Sequence, residues 1–388
     1  MPKSRANYSF YEFFAGGGMA RAGLGDNWRC RFANDIDPKK ARAYAENWGD
    51  DVLRLADVND IETSSLPGIP DLVWGSFPCQ DLSLAGDGAG LKGERSGAFW
   101  PFWRLVEKLG AGGRPPSLVV LENVCGALTS HGGRDFRTIA AAIDDAGYDF
   151  GALVIDAARF VPQSRPRLFI IAARKGMQLP KGVVADGPKE LFATKALLRA
   201  YDGLTSRLKK SWIWWDLPEP ATARVSLSAL LEEAPNDVSW KSPDETRRLL
   251  DMMSDVNRKK VAQAKKSGRR MVGTLYRRTR IDDDGNKVQR AEVRFDDLSG
   301  CLRTPAGGSS RQLLLIVEGQ RVRARLVSAR ETARLMGLPD SYLLPENYNE
   351  AYHLTGDGVA VPVVRHLASH IFEPVLDANR SVKANRAA

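Results

Sequence analysis

The stretch Tyr8-Ser9-Phe10-Tyr11-Glu12-Phe13-Phe14-Ala15-Gly16-Gly17-Gly18-Met19-Ala20-Arg21-Ala22-Gly23 decides the fold. Residues 8–14 form an aromatic, apolar run of strand length. Three glycines break it, and a helical segment starts near residue 19. Glycine at a strand-to-helix turn lets the backbone approach a ligand closely and aims helix N–H groups at it. Any tight βα turn can use glycine, so the turn alone does not name a ligand.

The same alternation runs outward from this unit. Residues 29–33 read as a second strand ending in Asn34-Asp35-Ile36-Asp37-Pro38, and residues 39–48 have helical composition. Residues 71–74, 117–121, 151–155 and 167–172 read as further strands, with helices at 99–109 and 135–146. Strands alternating with helices specify an α/β fold with a doubly wound, mostly parallel sheet. Beyond residue 174 the alternation stops. The cluster Trp212, Trp214 and Trp215 reads as a packing patch. A hairpin is expected at Asp284-Gly285-Asn286, a strand at 313–317 and a short helix at 328–336 capped by Ser328 and Glu331. Residues 359–372 are apolar and helical. We expect a catalytic domain over 1–193, a smaller irregular recognition domain and hinge over 194–350, and a segment 351–388 that returns to the first domain.

The chain has 388 residues, 43% of them hydrophobic and 27% charged, as expected of a globular protein of two or three domains. No apolar run is long enough to span a membrane, and the first residues lack the apolar core of a signal peptide. The four cysteines, Cys30, Cys79, Cys125 and Cys301, contain no C-x-x-C pair. That spacing argues against a disulfide framework or a structural metal site and fits a reducing cytoplasm. The net charge of +9 favours a polyanionic partner without identifying one. Its distribution says more. Residues 257–280 hold ten Lys or Arg and no Asp or Glu. Met271, Val272, Leu275 and Tyr276 interleave with them, which suits an ordered surface facing phosphates rather than a solvated tail.

Four places carry chemistry. Asp35, at the end of the second strand, stands where an acidic residue commonly binds ribose hydroxyls, and Asp57 could accept an adenine amine. Both could instead cap helices. The turn is not G-x-G-x-x-G, and no phosphate-binding lysine follows, so a nucleoside cofactor without phosphates fits better than NAD or ATP. Cys79 follows Pro78 at a strand end and precedes a glycine-rich stretch. Taken alone, such a cysteine is more often a small buried residue. Glu122, in Glu122-Asn123-Val124, closes another strand on the same sheet edge. A thiolate and a carboxyl that can carry a proton are what addition to a pyrimidine needs. Gln163-Ser164-Arg165-Pro166-Arg167 places two arginines on alternate positions of an extended segment, pointing the same way. Arg167 could hold a base carbonyl, and Arg165 the neighbouring carboxylate or a phosphate. Either could instead be a surface ion pair.

Together these residues resemble the DNA (cytosine-5)-methyltransferase family of bacterial restriction-modification systems. FAGGG (14–18) resembles the first motif, NDID (34–37) and Asp57 the second and third, and GSFPCQ (75–80) the nucleophile motif. ENV (122–124) and QSRPR (163–167) resemble the carboxylate and arginine motifs. RLVSARETARLMGLPDSY (325–342) is similar to the ninth motif, and 352–362, with GDGVAVP, to the tenth. The matches follow the family's order and cover most of the chain outside about residues 180–295.

The resemblance implies S-adenosylmethionine as methyl donor, held by Phe14, Ala15, Gly16, Gly18, Asp35, Ile36, Asp57, Val58, Pro78, Asp357, Gly358 and Val359. It implies a cytosine flipped out of double-stranded DNA, with Cys79, Glu122, Arg165 and Arg167 catalytic. It implies DNA contacts from Gln80, Ser83, Arg269, Arg270, Thr274, Leu275, Arg277 and Arg278, Thr274-Leu275 being similar to a short signature of family recognition domains. Residues 81–99 would form a lid, and no metal takes part. A monomeric, cytoplasmic enzyme is expected, paired with a restriction endonuclease acting on the same site. The chain departs from the family at Met19-Ala20, where a second glycine pair is usual, and at Asp357, where asparagine is usual. The alternatives are an RNA cytosine methyltransferase on the same scaffold and a non-catalytic DNA-binding protein. Cys125 is the alternative nucleophile, without the adjacent proline or glycine-rich stretch.

Overall fold

The computed structural model describes residues 6–78, 98–221, 224–282, 285–303 and 311–387. The expected nucleophile Cys79, with Gln80, Ser83 and all but the last two lid positions, lies outside the described residues, as does Asp284 of the expected hairpin turn.

The first half alternates as expected: β1 (Tyr8–Phe13), α1 (Met19–Leu24), β2 (Trp28–Asp35), α2 (Pro38–Trp48), β3 (Leu53–Leu55), β4 (Leu72–Gly75), α3 (Phe99–Ala111), β5 (Leu118–Val124), α4 (Arg134–Asp145), β6 (Tyr148–Asp156) and β7 (Pro166–Arg174). Its seven-stranded sheet runs β3-β2-β1-β4-β5-β7-β6. β1 to β5 are parallel neighbours, and β7 is antiparallel to both β5 and β6. Leu118 to Leu121 are almost wholly buried, the continuous apolar run of a central parallel strand covered on both faces. α2 starts where the sequence says it should. Pro38 fills the first turn, and the Asp37 carboxylate accepts the Lys39 N–H at 2.8 Å. Strand order reverses between β2-β1 and β4-β5, and ligands of such sheets bind beside the carboxyl ends at that switch point.

Next come α5 (Lys195–Asp202), α6 (Ser206–Lys210), α7 (Pro243–Asp251), α8 (Asp255–Lys266), β8 (Arg270–Ile281), β9 (Lys287–Arg294), β10 (Leu313–Glu318), β11 (Arg321–Leu326), α9 (Ala329–Leu335), α10 (Tyr348–Asp357), α11 (Val361–Leu367) and α12 (Glu373–Ala387). β8 to β11 form an antiparallel sheet ordered β11-β10-β8-β9. Leu249 of α7 and Val261 of α8 pack with Leu275, Val293, Leu313, Leu315 and Ala324 into a core of its own. Ser328 and Glu331 form the expected capping box on α9.

The chain divides into two compact units. One holds residues 1–156, 166–221 and 359–388, and the other 157–165 and 222–358. The expected boundaries at 193/194 and 350/351 move to 221/222 and 358/359. The tryptophans give the reason for the first shift. Trp212 packs on Phe150 of β6 (5.4 Å between ring centroids) and on Trp214 (5.3 Å), and Phe150 donates its N–H to the Ser211 carbonyl at 2.8 Å. A Cβ on Gly151 would come within 1.9 Å of the Ile213 oxygen, so glycine is what lets this return strand lie against β6. The patch is packing, as read from sequence. Among the described residues no helix is long and apolar enough to cross a membrane.

Candidate active site

The first unit presents two groups of polar side chains at the carboxyl ends of its parallel strands. The first is built on the glycine turn after β1. Phe14, Gly16 and Gly18 all have positive φ, at 56°, 54° and 76°. At Gly18 a Cβ would meet the Trp48 Nε1 at 2.4 Å, while at Gly16 it would meet nothing within 4 Å. Gly18 therefore serves packing against α2, and Gly16 borders open space. Asp35 locks the turn. Its Oδ2 accepts the Gly16 N–H at 2.7 Å and its Oδ1 the Asp37 N–H at 2.8 Å. Burial raises the Asp35 carboxyl above the usual carboxylate range. Each carboxylate oxygen keeps a second acceptor position for a ligand hydroxyl.

Beside it Ile36 is 63% exposed, an apolar side chain held open at a strand end. Asp57 caps a short 3₁₀ turn with Oδ1, which accepts from the Asn59 backbone and side chain at 2.8 and 2.9 Å. Asp57 thus caps as the alternative reading allowed, and Oδ2 takes no hydrogen bond from the described residues. Val58 is buried below it. An exposed apolar side chain, two carboxylates with acceptor capacity left, and open space above a glycine fit an adenosine-bearing ligand.

Met19 and Ala20, the departure from the family pattern, are buried in the first turn of α1. Glu12, which the sequence reading passed over, is also buried. Its Oε1 accepts the Arg21 N–H at 3.3 Å, and its Oε2 takes no hydrogen bond within normal geometry among the described residues. Burial pushes this carboxyl up to about 8. A lone acidic residue in an aromatic strand was the available signal.

The second group stands on β5 and β7. Val124 lies opposite Arg167 in the antiparallel register, so Arg167 and Glu122 are diagonal neighbours on one face. The Arg167 Nε lies 3.4 Å from the Glu122 Oε1, and both side chains are largely buried. The sequence offered Arg165, not Arg167, as the support of that carboxylate; the structure pairs Glu122 with Arg167. Asn123 points to the opposite face. Its Nδ2 donates to the Phe77 carbonyl at 3.2 Å, tying β5 to the segment that leads through the exposed Pro78 toward Cys79. The E-N-V string gave no hint of that tie, which joins residues 46 apart. Cys125 is half-buried next to this group. Burial raises its thiol while the Arg167 guanidinium pulls the other way, so little thiolate forms there.

In the second unit, Arg165 departs from the expectation that it parallels Arg167. β7 begins at Pro166, so Arg165 precedes the strand. It is 2% exposed and donates to the carbonyls of Leu302, Gly356 and Gly358 at 3.1, 2.8 and 2.7 Å. Its place is a backbone clamp on the tenth-motif segment. Asp357 ends α10 with an exposed side chain between those two glycines. Val359, in the first unit, is buried.

The DNA-contact residues also separate into two kinds. Arg269, Arg270, Arg277 and Arg278 are exposed. Arg270 pairs with Glu318 at 3.4 Å and Arg278 with Glu292 at 3.5 Å. Thr274 and Leu275 are buried, which corrects the expectation that their side chains face DNA. Leu275 belongs to the core of the four-stranded sheet, and the Thr274 Oγ1 donates to the Leu298 carbonyl at 2.9 Å. Successive residues of β8 point to opposite faces, so Leu275 enters that core while Thr274 is buried on the other side of the sheet. Among the described residues no group of three His, Cys, Asp or Glu could hold a metal ion.

Comparison with known proteins identifies the family. A model of the C-5 cytosine-specific DNA methylase family matches residues 8–373. The chain belongs to that family. It is an S-adenosylmethionine-dependent DNA (cytosine-5)-methyltransferase. It is 24% identical over 374 residues to the Type II methyltransferase M1.ScrFI of Lactococcus lactis subsp. cremoris, covering 96% of this chain and 79% of that one. It is 26% identical over 392 residues to the Type II methyltransferase M.HpaII of Haemophilus parainfluenzae, covering 96% and 91%. Among solved structures, the Entamoeba histolytica methyltransferase EhMeth aligns with a TM-score of 0.63 at 13% identity, over 95% of this chain and 99% of that one. The S. pombe Dnmt2 methyltransferase aligns with a TM-score of 0.57 at 16% identity, over the same shares. At these identities the structural matches support the fold.

Proposed function

We propose that the enzyme methylates a cytosine extruded from double-stranded DNA at one specific sequence, with Cys79, Glu122 and Arg167 acting on the base. The observation that carries this reading is the Glu122–Arg167 pair at the carboxyl end of β5, with Asn123 anchoring the segment that precedes Cys79. Extrusion is required because the ring is otherwise stacked, and it costs a few kcal/mol. The Cys79 thiolate adds to C6, forming an S–C6 bond and moving the ring electrons toward C5. Glu122 donates a proton to N3 and contacts the exocyclic amine, which stabilises the charge that addition places on the ring. Arg167 orients Glu122 and offers its remaining donors to O2. S-adenosylmethionine, when bound, supplies an electrophilic methyl group, with its adenosine against Ile36, Asp35 and Asp57 and the turn 14–18. C5 forms the new carbon–carbon bond while the methyl–sulfur bond of the donor would break, leaving a neutral thioether; the C5 proton then leaves to water, the S–C6 bond breaks to restore the Cys79 thiolate, and N3 returns its proton to Glu122. Arg165 acts at one remove, fixing the Gly356 and Gly358 carbonyls on either side of Asp357.

The names of M1.ScrFI and M.HpaII, both Type II methyltransferases, support placing this chain in a restriction-modification system beside an endonuclease of the same specificity. We take it to be a cytoplasmic monomer. Labelled methyl incorporation into duplex DNA and into tRNA tests the reading. Incorporation into DNA alone is expected, and incorporation into tRNA alone would replace the substrate. DNA binding without any incorporation would make the chain a binding protein.

A further inference from the structure

The β8–β9 hairpin outgrows its sheet. β10 pairs with β8 only from Arg270 to Leu275, whereas β9 pairs with it as far as Ile281 opposite Lys287. Beyond Leu275 the two strands continue without a third, and residues 277–281 are all exposed. A two-stranded ribbon is marginally stable in water, so stability does not explain this length.

The two faces of the ribbon differ. On one, Arg278 and Arg280 converge on the Glu292 carboxylate at 3.5 and 2.6 Å, which neutralises part of their charge. On the other, the opposed pairs are Arg277 with Ala291, Thr279 with Gln289, and Ile281 with Lys287. There the Gln289 Nε2 donates to the Thr279 Oγ1 at 2.8 Å, which holds the amide with its Oε1 as acceptor. Ile281, at the end of this face, is 73% exposed. At its base opens a cavity of about 380 Å³ lined by Arg277, Lys241, Arg248 and Arg311 against the single carboxylate of Glu245.

We infer that the Arg277–Thr279–Gln289–Lys287 face of this ribbon enters the major groove of duplex DNA, with Gln289 on a base edge and a backbone phosphate seated among Lys241, Arg248, Arg277 and Arg311. The inference rests on the DNA-methyltransferase reading and names specificity and phosphate residues for it. The major groove of B-DNA, about 12 Å wide, admits a two-stranded ribbon, and a fixed glutamine discriminates bases there. The deep, narrow major groove of duplex RNA does not admit side chains. Ile281 offers an apolar contact for a thymine methyl group.

The test compares the wild-type enzyme with Gln289→Ala and with the double variant Lys241→Ala/Arg248→Ala. Methyl incorporation is measured on duplexes varied at each base pair of the wild-type site, and DNA binding is measured across salt concentrations. Gln289→Ala should lose roughly 5- to 150-fold of discrimination at one base pair. The double variant should bind every duplex more weakly and lower the salt slope by about 1. Unchanged discrimination by Gln289→Ala overturns the ribbon's role while leaving DNA methylation intact. An unchanged salt slope, with inorganic phosphate bound by the wild type and not by the double variant, overturns the DNA seat in favour of a free phosphate. A specificity change confined to structured RNA overturns the inference as well. Failure of the wild type to methylate any duplex would remove the underlying reading instead.

Discussion

At the carboxyl ends of the seven-stranded sheet the ionisable groups are buried and held. Glu122 pairs with Arg167, and Asp35 takes two backbone N–H groups. Along the hairpin of the four-stranded sheet they are exposed, with Arg277, Arg278 and Arg280 on three of the four rungs from 277 to 280 of a two-stranded ribbon. The first region fixes a few polar atoms against small, dry partners, which suits bond-making. The second spreads charge over a long, wet surface, which suits a polyanion. On the proposed reading, reaction chemistry and sequence choice are carried by separate cores. Substitutions should separate them in the same way.

The largest effect should come from the nucleophile. Cys79→Ala should lower methyl transfer by roughly 10³- to 10⁶-fold while DNA binding persists, as when one member of a catalytic unit is removed. Substantial turnover by that variant would move the chemistry elsewhere, with Cys125 the candidate. Arg167→Ala comes next. It leaves the Glu122 carboxyl without its partner and should cost about 10²- to 10³-fold in kcat. Arg167→Lys should recover only part of that, because a point charge cannot reproduce the guanidinium fork. Full activity in Arg167→Ala would break the claim that the β5–β7 register builds the site.

Arg165→Ala sharpens the difference between the two arginines of the same motif. It should destabilise the protein by about 2–4 kcal/mol in denaturant unfolding, because three buried carbonyls lose their donor. A variant as stable as wild type would refute the clamp.

The smallest effect concerns Glu12, whose carboxyl burial pushes up to about 8. A carboxyl raised on folding is protonated in both states at low pH and costs stability once the unfolded form ionises. Stability relative to Glu12→Gln should therefore fall as pH rises from about 5 to 8 and level off above that. Thermal melts of both proteins across that range check the sign, and parallel curves would contradict it.

The same division decides what could be read from sequence. Motifs whose parts lie within one strand and its turn were legible. The turn 14–18 and the capping box of Ser328 and Glu331 follow from local rules of period and turn chemistry, and the Glu122–Arg167 pair joins two motifs legible by the same rules. What escaped depends on chain segments far apart. Arg165 clamps carbonyls about 190 positions away, and Asn123 reaches back to Phe77. Leu275 turns onto the face of β8 that the helices α7 and α8 cover, whereas Thr274, on the other face, is buried by its bond to the Leu298 carbonyl. The length of the ribbon was hidden for a similar reason. A basic run reads alike whether it is helix, sheet or arm, and only the end of β10 pairing shows where β8 leaves its sheet.

Glu122 and Arg167, held together on β5 and β7, are proposed to serve cytosine C5 methylation in DNA. Bisulfite sequencing of DNA from cells expressing the wild-type chain or Glu122→Ala tests it most directly. Protected cytosines are expected in one recurring sequence context for the wild type, with their near-complete loss in the variant. Equal protection in both, or none with the wild-type chain, would contradict it.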